Sequence, residues 1–349
     1  MKTIYHELVQ GARNIGLKPE SFGVELVSLK VLKQLQQHGY RRRFVEFKPR
    51  DINGTVLELF DVLDRVVYIR NDVPRSLQTF MMAHCVAHAD FLVRNHELKR
   101  AVHRFRRQFT ALRSQYEWAK RQSTNHFQTY VSKLEELFSN VLFRRCDMDW
   151  LMDHVIRSRT DTLLWQVMHN EAQYFEAIGK TSLMNEGWAM WQQNQILNKS
   201  GLISQAFGRW SELLCEPTSA GINVYRLGLR LWTEATDPFY ICQMYDDQTF
   251  IGKLFSKEIH DEEVISLVHH QSSQVTRDFE TVKQQLQYTA VYSGKLPIYL
   301  DTSLTKQTGD VTFRYPFNRY EQNRVKNVRS LLESCLGQRV MIKPSHSRL

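Results

Sequence analysis

Across residues 98–143 the chain contains neither proline nor glycine. Apolar residues recur there at spacings of three and four, so the stretch is expected to form one or two long helices, each with a buried stripe and a wet face. The rest of the chain leans the same way, with only 8 prolines and 15 glycines among 349 residues. Turn-rich β architectures use more of both. Apolar residues make up 42% of the chain, enough to bury a sizeable core and to exclude a disordered protein.

The same spacing predicts helices over residues 5–13, 21–38, 75–91, 147–175, 185–198 and 223–233. Asn53-Gly54 reads as a turn, and 56–69 as a helix followed by a short β-rich run, 66–69. Gly179-Lys180-Thr181 reads as a break between helices, and 217–221 as a loop. The last sixty or so residues change character. Runs 295–300 and 310–315 are of β type, 319–336 is an amphipathic helix stopped at Gly337, and 339–342 is a final strand. The expectation is an α+β fold, with a mainly helical body over 1–285 and a small C-terminal β-β-α-β subdomain over 286–349.

Within residues 94–145, 12 Lys and Arg face 4 Glu, an excess of +8 in a chain whose net charge is +9. Two readings stand: a docking face for a polyanion, or the solvated side of packed helices. No nucleic-acid motif accompanies the charge, which favours solvated helix faces and no specific nucleic-acid partner. No run of about 18 apolar residues would span a membrane. The opening MKTIYHELVQGARN lacks the apolar core of a signal peptide. Five scattered cysteines without a CxxC pair read as reduced thiols, so a cytoplasmic location is expected.

Three segments could carry chemistry. His84 and His88 lie one helical turn apart, as paired imidazoles do in helical zinc sites. Among 13 histidines this spacing occurs once, and on its own it also fits two ordinary helix histidines. Glu186, in Met184-Asn185-Glu186-Gly187-Trp188, is a carboxylate in an apolar helical run, costly to bury unless it is paired or bound to a metal. Glu171 follows His169 in a helix just before it, and two facing carboxylates would need a cation or a shared proton. The expected ligand set is His84, His88, Glu186 and Glu171. Glu171 is alternatively the base that activates a bound water, since Cys85 holds the place where HExxH metallopeptidases carry theirs. Asn95, Asn185 and His169 are expected behind the ligands, orienting them. Two imidazoles with carboxylates suit zinc first, then manganese or iron(II). The Cys85 side chain should point away from the His84/His88 face.

These segments, in this order, resemble the stage V sporulation protein R (SpoVR) family. AHCVAHADFLVRN (83–95) is similar to its histidine helix, NEAQYF (170–175) to its acidic helix and MNEGWAMW (184–191) to its most distinctive block. SAGINVYRLGLRLW (219–232), DDQTFIGKLFSKEI (246–259) and the C-terminal GDVTFRYPF with VRSLLESCLGQRVMIK extend the resemblance. GYRRRFVEFKPRD (39–51) departs from it, standing where the family has a segment rich in aromatics and glycine.

The resemblance implies a role in sporulation and spore cortex formation, or in stationary-phase and stress responses. It implies a PrkA-like serine kinase and a von Willebrand-A-like protein as partners. Two functions stay open: a metal-dependent hydrolase with a zincin-like helix pair, and a non-catalytic adaptor in a kinase-linked stress pathway. Charge without stacking platforms predicts that fluorescence anisotropy at physiological salt will show no sequence-selective binding of DNA or RNA. Tight selective binding would contradict the solvated-face reading.

Overall fold

The computed structural model describes residues 2–37, 45–46, 58–62, 64–122, 127–202, 204–216, 222–269, 274–316 and 322–345. The expected turn at Asn53-Gly54, the loop 217–221 and most of the divergent segment 39–51 lie outside these residues. The chain order begins α1 (Lys2–Asn14), β1 (Gly23–Val27), α2 (Leu29–Gln37), β2 (Val45–Glu46), β3 (Glu58–Asp61), β4 (Val66–Arg70), α3 (Arg75–Arg94) and α4 (His96–Gln122). It continues with α5 (Phe127–Asn140), β5 (Val141–Phe143), α6 (Arg145–His154), α7 (Arg159–Gly179), α8 (Ser182–Lys199), α9 (Gln205–Leu214), α10 (Val224–Thr233) and α11 (Pro238–Met244). Last come α12 (Asp247–Leu254), α13 (Lys257–Glu262), β6 (Leu267–His269), β7 (Gln274–Thr276), α14 (Phe279–Val291), β8 (Leu296–Leu300), α15 (Thr302–Thr308), β9 (Val311–Pro316), α16 (Gln322–Leu336) and β10 (Val340–Ser345). The described chain is mainly helical with small mixed sheets, as an α+β fold requires.

Two compact units form. The first comprises Met1–Arg104, Lys180–Val268 and Val275–Ala290; the second comprises Phe105–Gly179, His269–Gln274 and Val291–Leu349. The C-terminal strands therefore share their unit with residues 105–179.

In the first unit, α8 packs against α3, α10, α1 and α12. Its residues Leu183 to Met190 are all buried. Asp247 holds its start, its carboxylate accepting from the Leu183 and Met184 N–H groups at 2.8 Å each. These are two of the N–H groups that a helix cannot satisfy internally. The α8–α10 crossing is built on glycine: a Cβ on Gly187 would lie 2.3 Å from the Gly228 carbonyl carbon, and one on Gly228 2.5 Å from the Leu183 oxygen. Asn223 caps α10, accepting from Tyr225 N–H at 3.0 Å. A sheet of order β1-β4-β3-β2 completes the unit, with β1 parallel to β4 and the other pairs antiparallel.

That sheet corrects two expectations. The β-rich run 66–69 is a strand as expected, but the helix before it does not form where described: Glu58–Asp61 and Val66–Arg70 pair as a hairpin, Asp64 N–H bonding Asp61 Oδ1 at 2.9 Å and Arg65 turning the chain at φ 55°. Residues 21–38 divide into β1 and α2, because β1 finds β4 as a parallel partner. Local apolar spacing cannot register such non-local pairing.

In the second unit, the strands run in order β10-β9-β8-β5. The expected β-β-α-β order is present, with α15 added between β8 and β9. Residues 141–143 form β5 rather than the end of a helix, pairing with β8. Phe138, Phe143, Trp165 and Phe313 form an aromatic core with ring centroids 5.4 to 6.2 Å apart. Along α4, Lys99, Arg100, Arg104, Arg107, Arg113, Lys120 and Arg121 are exposed while Leu98, Phe105, Leu112 and Ala119 are buried, the pattern of a solvated basic face.

Gly228→Ala tests the glycine crossing. Helix propensity alone would favour alanine by about 1 kcal/mol. The clash is with backbone that cannot swing aside, so the variant is expected to lose about 2–3 kcal/mol in a urea melt. A midpoint equal to or above wild type would contradict the packing.

Candidate metal centre

The site begins with a helix that has no wet face. From Leu77 to Leu92 every residue of α3 is buried, including His84, His88 and Asp90. Asp90 is satisfied by Arg94 and the Lys18 N–H. The two histidines turn toward α8, where amide side chains meet them. Gln193 Oε1 lies 2.9 Å from His84 Nδ1, and Asn185 Oδ1 lies 3.0 Å from His88 Nδ1. Gln193 Nε2 faces the Met190 sulfur at 3.3 Å, which leaves its oxygen for His84. An amide oxygen can only accept, so each Nδ1 carries a proton, and in the neutral ring Nε2 presents the lone pair.

Those two Nε2 atoms stand 3.0 Å apart. Glu186 Oε2 is 3.6 Å from His84 Nε2 and 3.5 Å from His88 Nε2. Both separations are too long for good hydrogen bonds, and Glu186 Oε2 is buried without a hydrogen-bond partner among the described residues. A second carboxylate joins from β3: ligand atoms of Glu58, His84 and His88 all lie within 4.8 Å of one another. Glu58 Oε1 is likewise buried without a hydrogen-bond partner, while Oε2 accepts from the Cys85 thiol at 2.9 Å.

Lone pairs and carboxylate oxygens facing one another in a dry interior repel unless a cation or protons intervene. Burial, with the charge of Glu186, pushes Glu58 up to about 7 against the opposing pull of His84 and the Cys85 thiol. Burial also raises Glu186, but His88 and His84 in their protonated form outweigh it and bring the group down to about 2. Burial next to Glu58 holds Cys85 well above the usual thiol range, so it remains S–H. Metal bonds of about 2.0–2.2 Å at angles between roughly 90° and 110° place ligand atoms about 2.9–3.6 Å apart. The Nε2–Nε2 and Nε2–Oε2 distances fall in that span. His84, His88 and Glu186 are thus spaced as ligands of one divalent ion would be, with Glu58 within 4.8 Å of the histidines.

The structure brings together His84, His88, Glu186 and Asn185. Asn95 stands elsewhere: its Nδ2 donates to the Cys242 and Tyr245 carbonyls and its Oδ1 caps the start of α4. Glu171 and His169 lie on α7 in the second unit, Glu171 buried and His169 bonded to Gln173. Sequence reasoning missed Glu58 and Gln193. Glu58 left one trace, a charge inside the apolar run 56–62. Cys85 does point off the face of the histidines, but toward Glu58.

Residues 154–239 match the family model described as SpoVR like protein. The match carries Glu186, Asn185 and Gln193, together with the Gly187–Gly228 crossing, while His84, His88 and Glu58 precede it. No curated protein and no solved structure matches the chain. Among the described residues, no helix is long and apolar enough to cross a membrane.

The tautomers are open to direct test. Long-range ¹H–¹⁵N correlation spectra at pH 8 should show His84 and His88 protonated at Nδ1 and bare at Nε2, with assignments from the single alanine variants. An Nε2–H on both rings would contradict the amide contacts.

Proposed function

We propose that this SpoVR-like protein holds one divalent metal ion through His84, His88, Glu186 and Glu58, and that it is a metal-dependent hydrolase. The observation that carries the metal reading is the 3.0 Å approach of two Nε2 atoms whose Nδ1 partners are amide oxygens. Zinc suits the donors, and manganese or iron(II) are compatible with them. A bound ion of this kind supplies Lewis acidity and lowers the pKa of a coordinated water. The protein's own residues do the rest. Asn185 and Gln193 hold the imidazoles in the tautomer that offers Nε2, and Asp247 fixes the start of the helix that carries Glu186.

The biological setting we propose is sporulation or the stationary-phase and stress response, alongside a PrkA-like serine kinase and a von Willebrand-A-like protein. The support for it is the SpoVR match over 154–239. One observation favours a second reading, an adaptor whose metal is structural. His84 and Glu58 are fully buried and the Glu186 side chain is only 9% exposed, as in closed structural sites.

Metal analysis of the purified protein should find about one equivalent per chain. Glu186→Gln and His88→Ala should each lose it while circular dichroism remains helical. Removing the ion with a chelator should lower the melting temperature, since a ligand at about 1,000 times its Kd adds about 4 kcal/mol. A metal-free protein that zinc, manganese and iron(II) all fail to stabilise would sink the metal reading. Hydrolysis of ester and amide substrates that vanishes in Glu186→Gln supports the enzyme; full loading without turnover supports the adaptor.

A further inference from the structure

The thiol of Cys85 is buried between the two histidine positions of α3 and directed at a ligand rather than at the ligands' common centre. Its S–H donates to Glu58 Oε2 at 2.9 Å, and Glu58 Oε1 is left with no hydrogen-bond partner among the described residues. A carboxylate near a cation can bind through one oxygen or through both. A donor on one oxygen favours the first mode. Glu58 has little freedom to evade that donor, because β3 is held in register against β4, with Glu58 opposite Ile69, and its side chain is wholly buried.

We propose that Cys85 is a positioning residue that restricts Glu58 to a single ligand oxygen and thereby sets the coordination number, and with it the metal preference, of the centre. The inference rests on the metal reading given above. With Oε2 held by the thiol, the cluster offers four donor atoms: Nε2 of His84, Nε2 of His88, Oε1 of Glu58 and Oε2 of Glu186. Four donors of this kind match the tetrahedral preference of zinc. Without the thiol, Glu58 can chelate through both oxygens, and the added hard donor favours ions that accept more oxygen ligands, manganese(II) among them.

The test compares wild type, Cys85→Ala and Cys85→Ser, each titrated with zinc(II), manganese(II) and cobalt(II). Cys85→Ala should weaken zinc binding about tenfold, the lower end of what loss of a ligand-orienting contact costs. It should leave manganese binding unchanged or tighter, so the zinc-to-manganese selectivity falls at least as far. The visible absorption of the cobalt(II) protein, intense when four-coordinate and weak when six-coordinate, should drop in Cys85→Ala. Cys85→Ser keeps a donor and should retain both the selectivity and the intense cobalt spectrum. If Cys85→Ala does not fold, Cys85→Val fills a similar volume without a donor and takes its place.

A donor-free variant with wild-type selectivity and a wild-type cobalt spectrum overturns this proposal while the metal centre stands. Wild-type protein that binds none of the three ions removes the metal reading and this inference together. A uniform loss of affinity for all three ions, with the cobalt spectrum unchanged in shape and intensity per bound ion, assigns Cys85 to packing and also overturns it.

Discussion

Everything at the centre hangs on how closely α8 can be brought to its neighbours. Glycine at 187 and at 228 lets two backbones touch where any side chain would intrude. That contact seats α8 against α10, and its other faces are covered by α3, α1 and α12. A helix buried on nearly every side has no solvent for its polar groups, so each must be answered from within the protein. Asp247 answers the first N–H groups. Asn185 and Gln193 answer, and are answered by, the two histidines of α3.

Glu186 and Glu58 are two of the exceptions, and they define the site. Each has an oxygen with no hydrogen-bond donor among the described residues, in a region that also holds two imidazole lone pairs. Nε2 of His84 and of His88 stand beside Glu186 Oε2, with Glu58 within 4.8 Å of the histidines, a grouping that a cation would stabilise. Burial pushes Glu58 up to about 7, whereas Glu186 is brought down to about 2 when His88 and His84 are protonated. Two negative charges and a divalent cation would leave the centre neutral, which suits a buried position.

Much of this was legible beforehand, and the gaps share one cause. His84 and His88 announce themselves through helical spacing, and Glu186 through its place in an apolar helical run, because both signals are local. Glu58 was hidden because the residues before the β-rich run 66–69 carry enough apolar side chains to pass for a helix. Only the pairing of β3 with β4, and of β1 with β4 across some forty residues, makes the segment a sheet. Residues 141–143 were misread for the same reason, their strand character being decided by β8 more than 150 residues later. Asn95 had the right spacing from His88 but a stronger local use, capping α4 and holding two carbonyls. Glu171 lies on α7 in the second unit and Glu186 on α8 in the first.

X-ray absorption at the metal edge of the loaded protein examines the central claim most directly. The account predicts a first shell of nitrogen and oxygen only, at about 2.0–2.2 Å, with the outer scattering of two imidazole rings. A sulfur scatterer at about 2.3 Å, or a shell with no imidazole pattern, would contradict a centre built from His84, His88, Glu186 and Glu58.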